Sequence, residues 1–336
     1  MLNFHKNHKN FIITAVIGFS VLSIIVAIIP AYQMEEYEPL PNQKDLTKSE
    51  RSGLNVYISE GCVGCHTQQV RNIEMDNVWG SRPSLASDYF YSKKRMDIWR
   101  QSPSLLGSER TGPDLTNVGV RQPSEQWHLL HLYNPRSVVK ESIMPSYPWL
   151  FEQKDSAYVT QEDIILPNDA TQNKEGQVTV ATKKGRDLVA YLKSLRQVSL
   201  MPETTSPTFI PSIKQKEEET QGGISKTSLN GEALYKNTCA ACHQTTGQGV
   251  KGAFPPLSGS PIVNDDNPEL FIEIILTGYD ARPEYGQMPA FGDQLSNEEI
   301  LAIINHERTS WKNNSKKITL EEVEKVRKLV EEEQNK

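Results

Sequence analysis

Cysteine is scarce in this sequence, and positive charge does not exceed negative charge. The 336 residues contain four cysteines, too few to hold a small secreted scaffold together by disulfides alone. With 36 basic and 42 acidic residues the net charge is −6, which gives no support to a nucleic-acid-binding surface. Glycine and proline, 20 of each, are too few for a collagen-like or wholly disordered chain. The mean hydropathy of −0.52 excludes many membrane spans but leaves room for one.

One long uncharged run, Phe11 to Ile29, lies near the start of the chain. As a helix its nineteen residues extend over about 28 Å, close to the hydrocarbon thickness of a bilayer. Lysines precede the run and glutamates follow it, so the positive-inside rule predicts a cytoplasmic N-terminus and export of everything after Pro30. We interpret residues 1–30 as an uncleaved anchor, because the run is longer than a usual signal-peptide core; a cleaved signal peptide is the alternative.

The exported part of the chain divides into two segments that are long enough to bury a core. The first covers residues 46–197 and the second residues 227–312. Residues 198–226 between them are rich in proline, threonine, serine and charge, which predicts a linker that leaves the second segment mobile. Residues 313–336 predict a charged helical tail, which we interpret as solvated rather than docked.

Both segments repeat one pattern, in which a helix leads into a Cys-x-x-Cys-His motif. Gly53–His66 in the first segment corresponds to Gly231–His243 in the second. Each segment also ends in an amphipathic helix, which in the second opens with a capping box formed by Ser296 and Glu299. No strand pattern competes with these helices. We therefore predict an all-α fold with one N-terminal transmembrane helix and two helical domains.

The two motifs contain all four cysteines and are typical of c-type haem attachment in an exported chain. Two thiols one helical turn apart reach the two vinyl groups of a haem, and the adjoining histidine lies below the iron. The sequence therefore predicts two covalently bound haem c groups. The residues that would attach them and bind the iron are Cys62, Cys65 and His66 in the first segment and Cys239, Cys242 and His243 in the second.

Three other interpretations of the motifs explain less. A zinc ribbon needs its two cysteine pairs about 15–20 residues apart. Here Cys65 lies 174 positions before Cys239. A thioredoxin-type redox pair needs a βαβ context, which the sequence does not indicate, and a disulfide within each motif leaves both histidines unexplained.

Two methionines, Met144 and Met288, are each followed by proline and lie between a motif and the closing helix. A loop at that place can reach the open face of the haem. Electron-transfer haems commonly pair histidine with methionine, because the soft thioether favours ferrous iron. We predict these methionines as the sixth ligands, with simple packing as the alternative. His128, His131 and His306 lack such a context, and we interpret them as structural or surface groups.

An iron-bound histidine normally donates its other ring nitrogen to a nearby acceptor. Pro113 and Pro256 each follow a motif, and this layout resembles class I cytochromes c, in which a proline carbonyl is that acceptor. The resemblance implies that Pro113 orients His66 and that Pro256 orients His243.

Three long motifs distinguish the first segment: GCVGCHTQQVR at 61–71, GSERTGPDLTNVG at 107–119 and WHLLHLYNPRSVVKESIMPSYPWL at 127–150. With the single anchor, they resemble subunit II, the monohaem cytochrome subunit, of cbb(3)-type cytochrome c oxidases. The resemblance implies that the first haem passes electrons to the catalytic haem-copper subunit and that the chain has no active site of its own. It also implies a single-pass protein of the bacterial inner membrane, with its haem domains on the periplasmic side.

The second segment resembles a generic class I cytochrome c domain through CAACHQTTGQGVKGAFPPLSGS at 239–260 and GQMPAFGDQLSNEEI at 286–300. Subunit II of the resembled family ordinarily ends soon after its first domain, so the added domain changes the electron path. One hypothesis is that it stands in for part of the separate dihaem subunit of such oxidases.

The leading functional hypothesis is a membrane-anchored dihaem electron conduit for an oxygen-reducing terminal oxidase. Its partners would be the haem-copper subunit, other cytochrome subunits and an upstream electron donor. The alternatives are a conduit to a nitric oxide reductase, a membrane-tethered shuttle without a fixed partner, and a dihaem peroxidase. A peroxidase needs an open sixth position at one iron, which two methionine ligands disfavour.

Overall fold

The computed structural model describes residues 6–35, 37–93, 104–161, 163–167, 171, 173–201, 205–211, 229–282 and 285–334. Much of the predicted linker, including 202–204 and 212–226, lies outside these described residues. The chain divides into two compact units. One comprises Met1–Asp45, Ser84–Ser104 and Val198–Pro207; the other comprises Leu46–Pro83, Leu105–Gln197 and Thr208–Lys336.

The described residues are mainly helical with little strand, which confirms the predicted fold class. The helices and strands, in chain order, are α1 (His8–Ser23), α2 (Ile29–Glu35), α3 (Lys48–Ser59), α4 (Phe90–Lys93), α5 (Val118–Arg121), α6 (Glu125–Tyr133), α7 (Pro135–Val138), β1 (Phe151–Asp155), β2 (Gln177–Ala181), α8 (Lys183–Ser194), α9 (Gly231–Thr238), α10 (Ala240–His243), α11 (Glu269–Thr277), α12 (Asn297–Thr309) and α13 (Leu320–Gln334).

The N-terminal unit is built on the predicted apolar helix. Helix α1 continues through a π-helical segment, Ile24–Ile28, into α2. Pro30 in α2 has no N–H to donate, and a wider turn next to it accommodates the missing bond. Within the described part of the chain, His8–Gln33 is the one helix long and apolar enough to cross a membrane, and its most apolar stretch is wholly exposed.

The second unit contains both Cys-x-x-Cys-His motifs, one in each of two lobes. We define the first lobe as residues 46–83 and 105–197 and the second lobe as residues 229–334. In the first lobe, α3 begins at a capping box between Thr47 and Glu50 and packs against α8. A Cβ on Gly53 would overlap the carbonyl of Asp187, so this glycine allows the two helices to approach closely.

A two-stranded antiparallel sheet in the first lobe is a feature that the sequence patterns do not predict. Strands β1 and β2 pair from Phe151 opposite Ala181 to Asp155 opposite Gln177. In β1 only Phe151 is buried, and the rest of that strand is polar and largely exposed. In β2 the last three residues, Thr179, Val180 and Ala181, are buried. Such short strands carry too few apolar residues for a clear alternating pattern.

In the second lobe, α9 packs against α12, and α12 opens with the predicted capping box at Ser296 and Glu299. The interpretation of the C-terminal tail as solvated is wrong. Val323 and Val326 of α13 are buried in the apolar core of this lobe, together with Ile318. The apolar side of α13 packs against α11, so the tail helix completes this core.

The two lobes are in direct contact within the second unit. The indole N–H of Trp127 donates to the carbonyl of Ala241 (2.9 Å), and the side-chain amide of Gln244 donates to the carbonyl of Val138 (3.1 Å). The composition of the linker predicted a mobile second domain, whereas the structure packs this domain on the first lobe. The polar linker does not reveal these contacts because they lie far from it in the sequence.

Candidate haem-binding sites

The first Cys-x-x-Cys-His motif folds as a tight turn directly after α3. Gly61 has a φ of 71°, in the left-handed region that glycine adopts without strain, and the 3-10 turn Cys62–Gly64 follows it. The amide of His66 donates to the carbonyl of Cys62 at 3.0 Å. This turn holds both thiols and the imidazole within residues 62–66, as haem attachment requires.

A loop ending at Leu115 packs across this turn and contacts the imidazole. The amide of Gly112 donates to Cys65 (2.9 Å), and Nδ1 of His66 lies 2.7 Å from the carbonyl oxygen of Pro113. The predicted contact between Pro113 and His66 is therefore present. Gly112 is needed for it, because a Cβ there would lie 2.8 Å from Nδ1 and would overlap Cε1 of the ring.

A buried charge network holds the same loop. The carboxylate of Asp76 is fully buried and accepts from Arg110 (2.6 Å) and Arg71 (3.0 Å). Burial alone would raise the pKa of Asp76, but the hydrogen bonds from Arg110 and Arg71 hold it well below its usual value. Asp114 in turn accepts from the hydroxyl of Thr67 at 2.6 Å. The segment after His66 is thus joined to the loop that carries Pro113.

Met144 lies in the first lobe, half-buried against the same core cluster as Cys62 and Val63. The stretch that follows it is fixed by a bond from the amide of Tyr147 to the carbonyl of Leu132 (2.9 Å). Ligation of iron by Met144 stays a prediction.

The second motif lies on α10, where the amide of His243 donates to Cys239 (3.0 Å). Nδ1 of its imidazole lies 2.9 Å from the carbonyl oxygen of Pro255. The expectation that Pro256 orients this histidine is therefore wrong by one residue. The reason is the turn at Gly249, which has a φ of 64° and packs directly on the carbonyl of Pro255. This turn brings the carbonyl of the first of the two prolines to the ring.

Met288 lines one cavity together with Cys239, Cys242 and His243. Its backbone is fixed by two hydrogen bonds with Tyr279, at 2.8 and 2.9 Å. The cavity contains about 1260 Å³ of empty space including its mouth, and its walls are mainly apolar. Cofactor sites are lined mainly by hydrophobic side chains with a few polar groups, so this lining suits a large apolar cofactor. The residues around it fit a haem bound through two thioethers, with an imidazole and a thioether sulfur for the iron.

Burial favours the neutral forms of several site residues. Burial lowers the pKa of His66 and of His243, which favours the neutral imidazole that binds a metal. Burial raises the pKa of Cys62 and of Cys242 to about 12, so neither is a reactive thiolate. No disulfide joins any of the four cysteines, so their sulfur atoms are compatible with thioether bonds.

Three residues near the sites are not singled out by the motif analysis. Glu307 lines the second cavity, and burial raises its pKa to about 8. Arg121 of the first lobe lines the same cavity, and Trp127 contacts the backbone of the second motif. Trp127 does lie within a quoted motif, but only the three-dimensional contacts indicate what it and Glu307 face.

Two family models match the chain. Residues 2–172 match "Cytochrome C oxidase, mono-heme subunit/FixO". Residues 227–306 match "Cytochrome C oxidase, cbb3-type, subunit III". The first match covers half of the chain and includes the apolar helix, and the second begins where the predicted second domain begins.

Curated relatives are cytochromes c or cytochrome subunits. The alcohol dehydrogenase (quinone) cytochrome c subunit of Gluconobacter oxydans is 29% identical over 149 residues, 42% of this chain and 30% of that protein. Cytochrome c-552 of Thermus thermophilus is 37% identical over 121 residues, 32% of this chain and 80% of that protein. The gluconate 2-dehydrogenase cytochrome c subunit of Pantoea cypripedii is 32% identical over 108 residues, 30% of this chain and 24% of that protein. The chain thus spans less than a third of the dehydrogenase subunits.

Proposed function

Because the chain belongs to the mono-heme subunit/FixO family of cytochrome c oxidases, we propose that it is a membrane-anchored electron-transfer subunit of a cbb3-type oxidase with two haem c groups. Its match to the cbb3-type subunit III family over residues 227–306 supports the second haem. The observation that carries the proposal is the repeated arrangement of a Cys-x-x-Cys-His turn with a proline carbonyl on its histidine.

The proposed ligands follow from this arrangement. Haem c supplies reversible one-electron iron chemistry when bound. The attachment and axial ligands proposed are Cys62, Cys65, His66 and Met144 at the first site and Cys239, Cys242, His243 and Met288 at the second.

The chain's own contribution is to hold these ligands and to keep water away. The carbonyls of Pro113 and Pro255 accept from Nδ1 of their histidines, which leaves Nε2 as the nitrogen that binds iron. The apolar walls around Met288 exclude water and favour the less charged ferrous state. These are tasks of an electron carrier, and none of them requires a substrate.

The anchor and its flanking charges suggest the topology. We place the N-terminus in the cytoplasm and both lobes on the periplasmic side of a bacterial inner membrane, because lysines precede the apolar helix and glutamates follow it. On that side the first haem would reduce the catalytic haem-copper subunit, and the second would receive electrons from a periplasmic or membrane donor.

The ligand assignment is tested by Met288→His. Replacement of a thioether by an imidazole removes the preference for ferrous iron, so the midpoint potential of the second haem should fall while covalent attachment persists. A redox titration followed by absorbance measures the change, and Met75→His, at an exposed position, is the control. An unchanged potential would refute Met288 as a ligand, and Met144→His tests the first haem in the same way.

The function is tested by isolating the chain from native membranes in mild detergent. We expect it to co-purify with a haem-copper subunit, and the complex to consume oxygen when a reductant feeds the cytochrome. Recovery with a dehydrogenase, or turnover of nitric oxide without oxygen uptake, would overturn the assignment to an oxidase.

A further inference from the structure

The cavity that holds Cys239, Cys242 and His243 is not closed by the second lobe alone. Four consecutive residues of the first lobe, 121–124, also line it. Arg121 ends α5 and residues 122–124 lead to α6, which Ser124 caps by accepting from the amide of Trp127 at 3.3 Å. The start of α6 is therefore fixed beside the cavity by its own helix cap.

The next residues of α6 contact the haem-attachment turn itself. The indole N–H of Trp127 donates to the carbonyl of Ala241, which lies between the two cysteines of the second motif. The indole is stacked flat on the imidazole of His131, with ring centres 4.6 Å apart and planes 9° apart. Because His131 is one turn further along α6, the stacking fixes the direction of the indole.

Close packing surrounds this hydrogen bond. A Cβ on Gly286 would lie 3.1 Å from Cβ of Gln126, so a side chain there would press against α6. The side chain of Gln244, directly after His243, donates to Val138 of the first lobe. Ala253 and Phe254 of the second lobe are buried in the core cluster of the first lobe. The lobes thus share apolar core as well as polar contacts.

We propose that the second haem site is shared between the lobes: residues 121–124 form one wall, and Trp127 is the positioning residue that fixes the haem-attachment turn against it. The inference rests on the proposed function in so far as the cavity is taken as a haem site. The shared site also implies that the distance between the two haem sites stays constant, because both attachment turns are fixed to the first lobe.

A measurable consequence concerns solvent. A haem whose wall opens to water loses the apolar shell that favours the ferrous state, so its midpoint potential falls. Loss of the bond to Ala241 also frees the attachment turn. Both effects should be larger at the second site, because Trp127 bonds the second attachment turn directly, whereas the Pro113–His66 contact of the first site does not involve it.

The experiment uses the full-length holoprotein and the variants Trp127→Ala and Trp127→Phe. We expect Trp127→Ala to lower the midpoint potential of the second haem and to speed hydrogen exchange of residues 239–244. Trp127→Phe keeps an aromatic ring and should give a smaller change in the same direction. Trp149→Phe is the matched control, since its indole N–H donates to Glu60 within the first lobe, and it should alter neither measurement.

A second variant keeps the result decisive if Trp127→Ala fails to bind haem. Gln126→Trp adds bulk opposite Gly286 without changing any residue of the second lobe, and it should produce the same two changes. A wild-type potential and wild-type exchange in these variants would overturn the shared site. Both measurements use the isolated chain, so that result would leave the oxidase assignment intact. Failure to co-purify with an oxidase would in turn leave the shared site intact.

Discussion

Gly112 and Pro113 show how closely the backbone approaches the first histidine. The carbonyl of Pro113 accepts from the ring, and the missing side chain of Gly112 leaves room for the ring edge. Gly112 does not need the left-handed conformation that is common for glycine. Its role is steric, so even alanine is too large at this position.

We predict that Gly112→Ala lowers the haem content of the first site. The added methyl would overlap the imidazole of His66 and displace either the ring or the loop. With two haem sites per chain, the haem content measured by pyridine haemochrome assay should fall from about two toward one per chain. The control is Gly64→Ala within the same motif, where a Cβ meets nothing within 4 Å and content should stay at the wild-type level. Equal haem content in both variants would contradict the steric role.

At the residue scale the sequence is informative where chemistry demands fixed spacing. The motif cysteines and histidines and the contact of Pro113 follow from pattern and resemblance. Pro255 was missed because two adjacent prolines are equivalent in sequence, and only the turn at Gly249 decides which carbonyl faces His243. Glu307 was missed because a glutamate on an amphipathic helix usually faces solvent.

Among the structural elements, the loop from Arg110 to Leu115 depends on the buried carboxylate of Asp76. Its hydrogen bonds to Arg110 and Arg71 hold its pKa below the unfolded value. The stabilisation is therefore fully present above the unfolded pKa of about 3.9 and is lost as the pH falls toward the folded pKa.

We predict that Asp76→Asn costs about 3 kcal/mol of stability at pH 7, because it leaves the largely buried guanidinium of Arg110 without its carboxylate partner. The difference from wild type should narrow as the pH falls below about 4, because the unfolded carboxylate then takes up a proton while the folded one stays ionised to a much lower pH. Denaturant unfolding at several pH values measures the difference in unfolding free energy between the two proteins. Asp266→Asn, at an exposed position, is the control. A cost that does not vary with pH would exclude the ionic explanation.

The C-terminal helix α13 holds the chain that follows Met288. Arg327 donates to the carbonyls of Gly292 (2.6 Å) and Leu295 (2.9 Å) and to the side chain of Asn297 (2.6 Å). These bonds join α13 to the start of α12. The helix thus supports the loop that presents the proposed ligand.

We predict that Arg327→Ala destabilises the second lobe by about 2–4 kcal/mol, because three hydrogen bonds from one charged group are lost and are not additive. It should also weaken the absorption band of the iron–methionine bond, since the loop after Met288 is loosened. The control Lys328→Ala removes an exposed charge on the same helix, and it should change neither the stability nor the absorption band. Wild-type stability in Arg327→Ala would show that these three hydrogen bonds do not hold the loop.

Helices with strong caps and apolar faces were predictable, as α12 shows. The two-stranded sheet was not predictable, because β1 is mostly polar. Its strand conformation depends on pairing with β2 rather than on its own sequence pattern. The docking of α13 was also missed. A sequence shows that one side of a helix is apolar, but it does not show which surface covers that side.

For the whole molecule, the charges around the apolar helix lead to a prediction about topology. Protease added to spheroplasts should degrade both lobes, because we place them outside the cytoplasm. Inverted vesicles should protect the lobes. Immunoblots against each lobe measure the outcome, and a cytoplasmic protein serves as control for intact membranes. Degradation only in inverted vesicles would reverse the topology.

The bond between Trp127 and Ala241 has a consequence for protein engineering. The second lobe cannot be replaced on its own by another cytochrome domain. Its attachment turn, Gly286, Ala253 and Phe254 all pack against one face of the first lobe. A foreign cytochrome grafted after residue 226 would keep its own fold yet lack this complementary face. A functional chimera would need the second-lobe residues that pack against the first lobe, in addition to the haem.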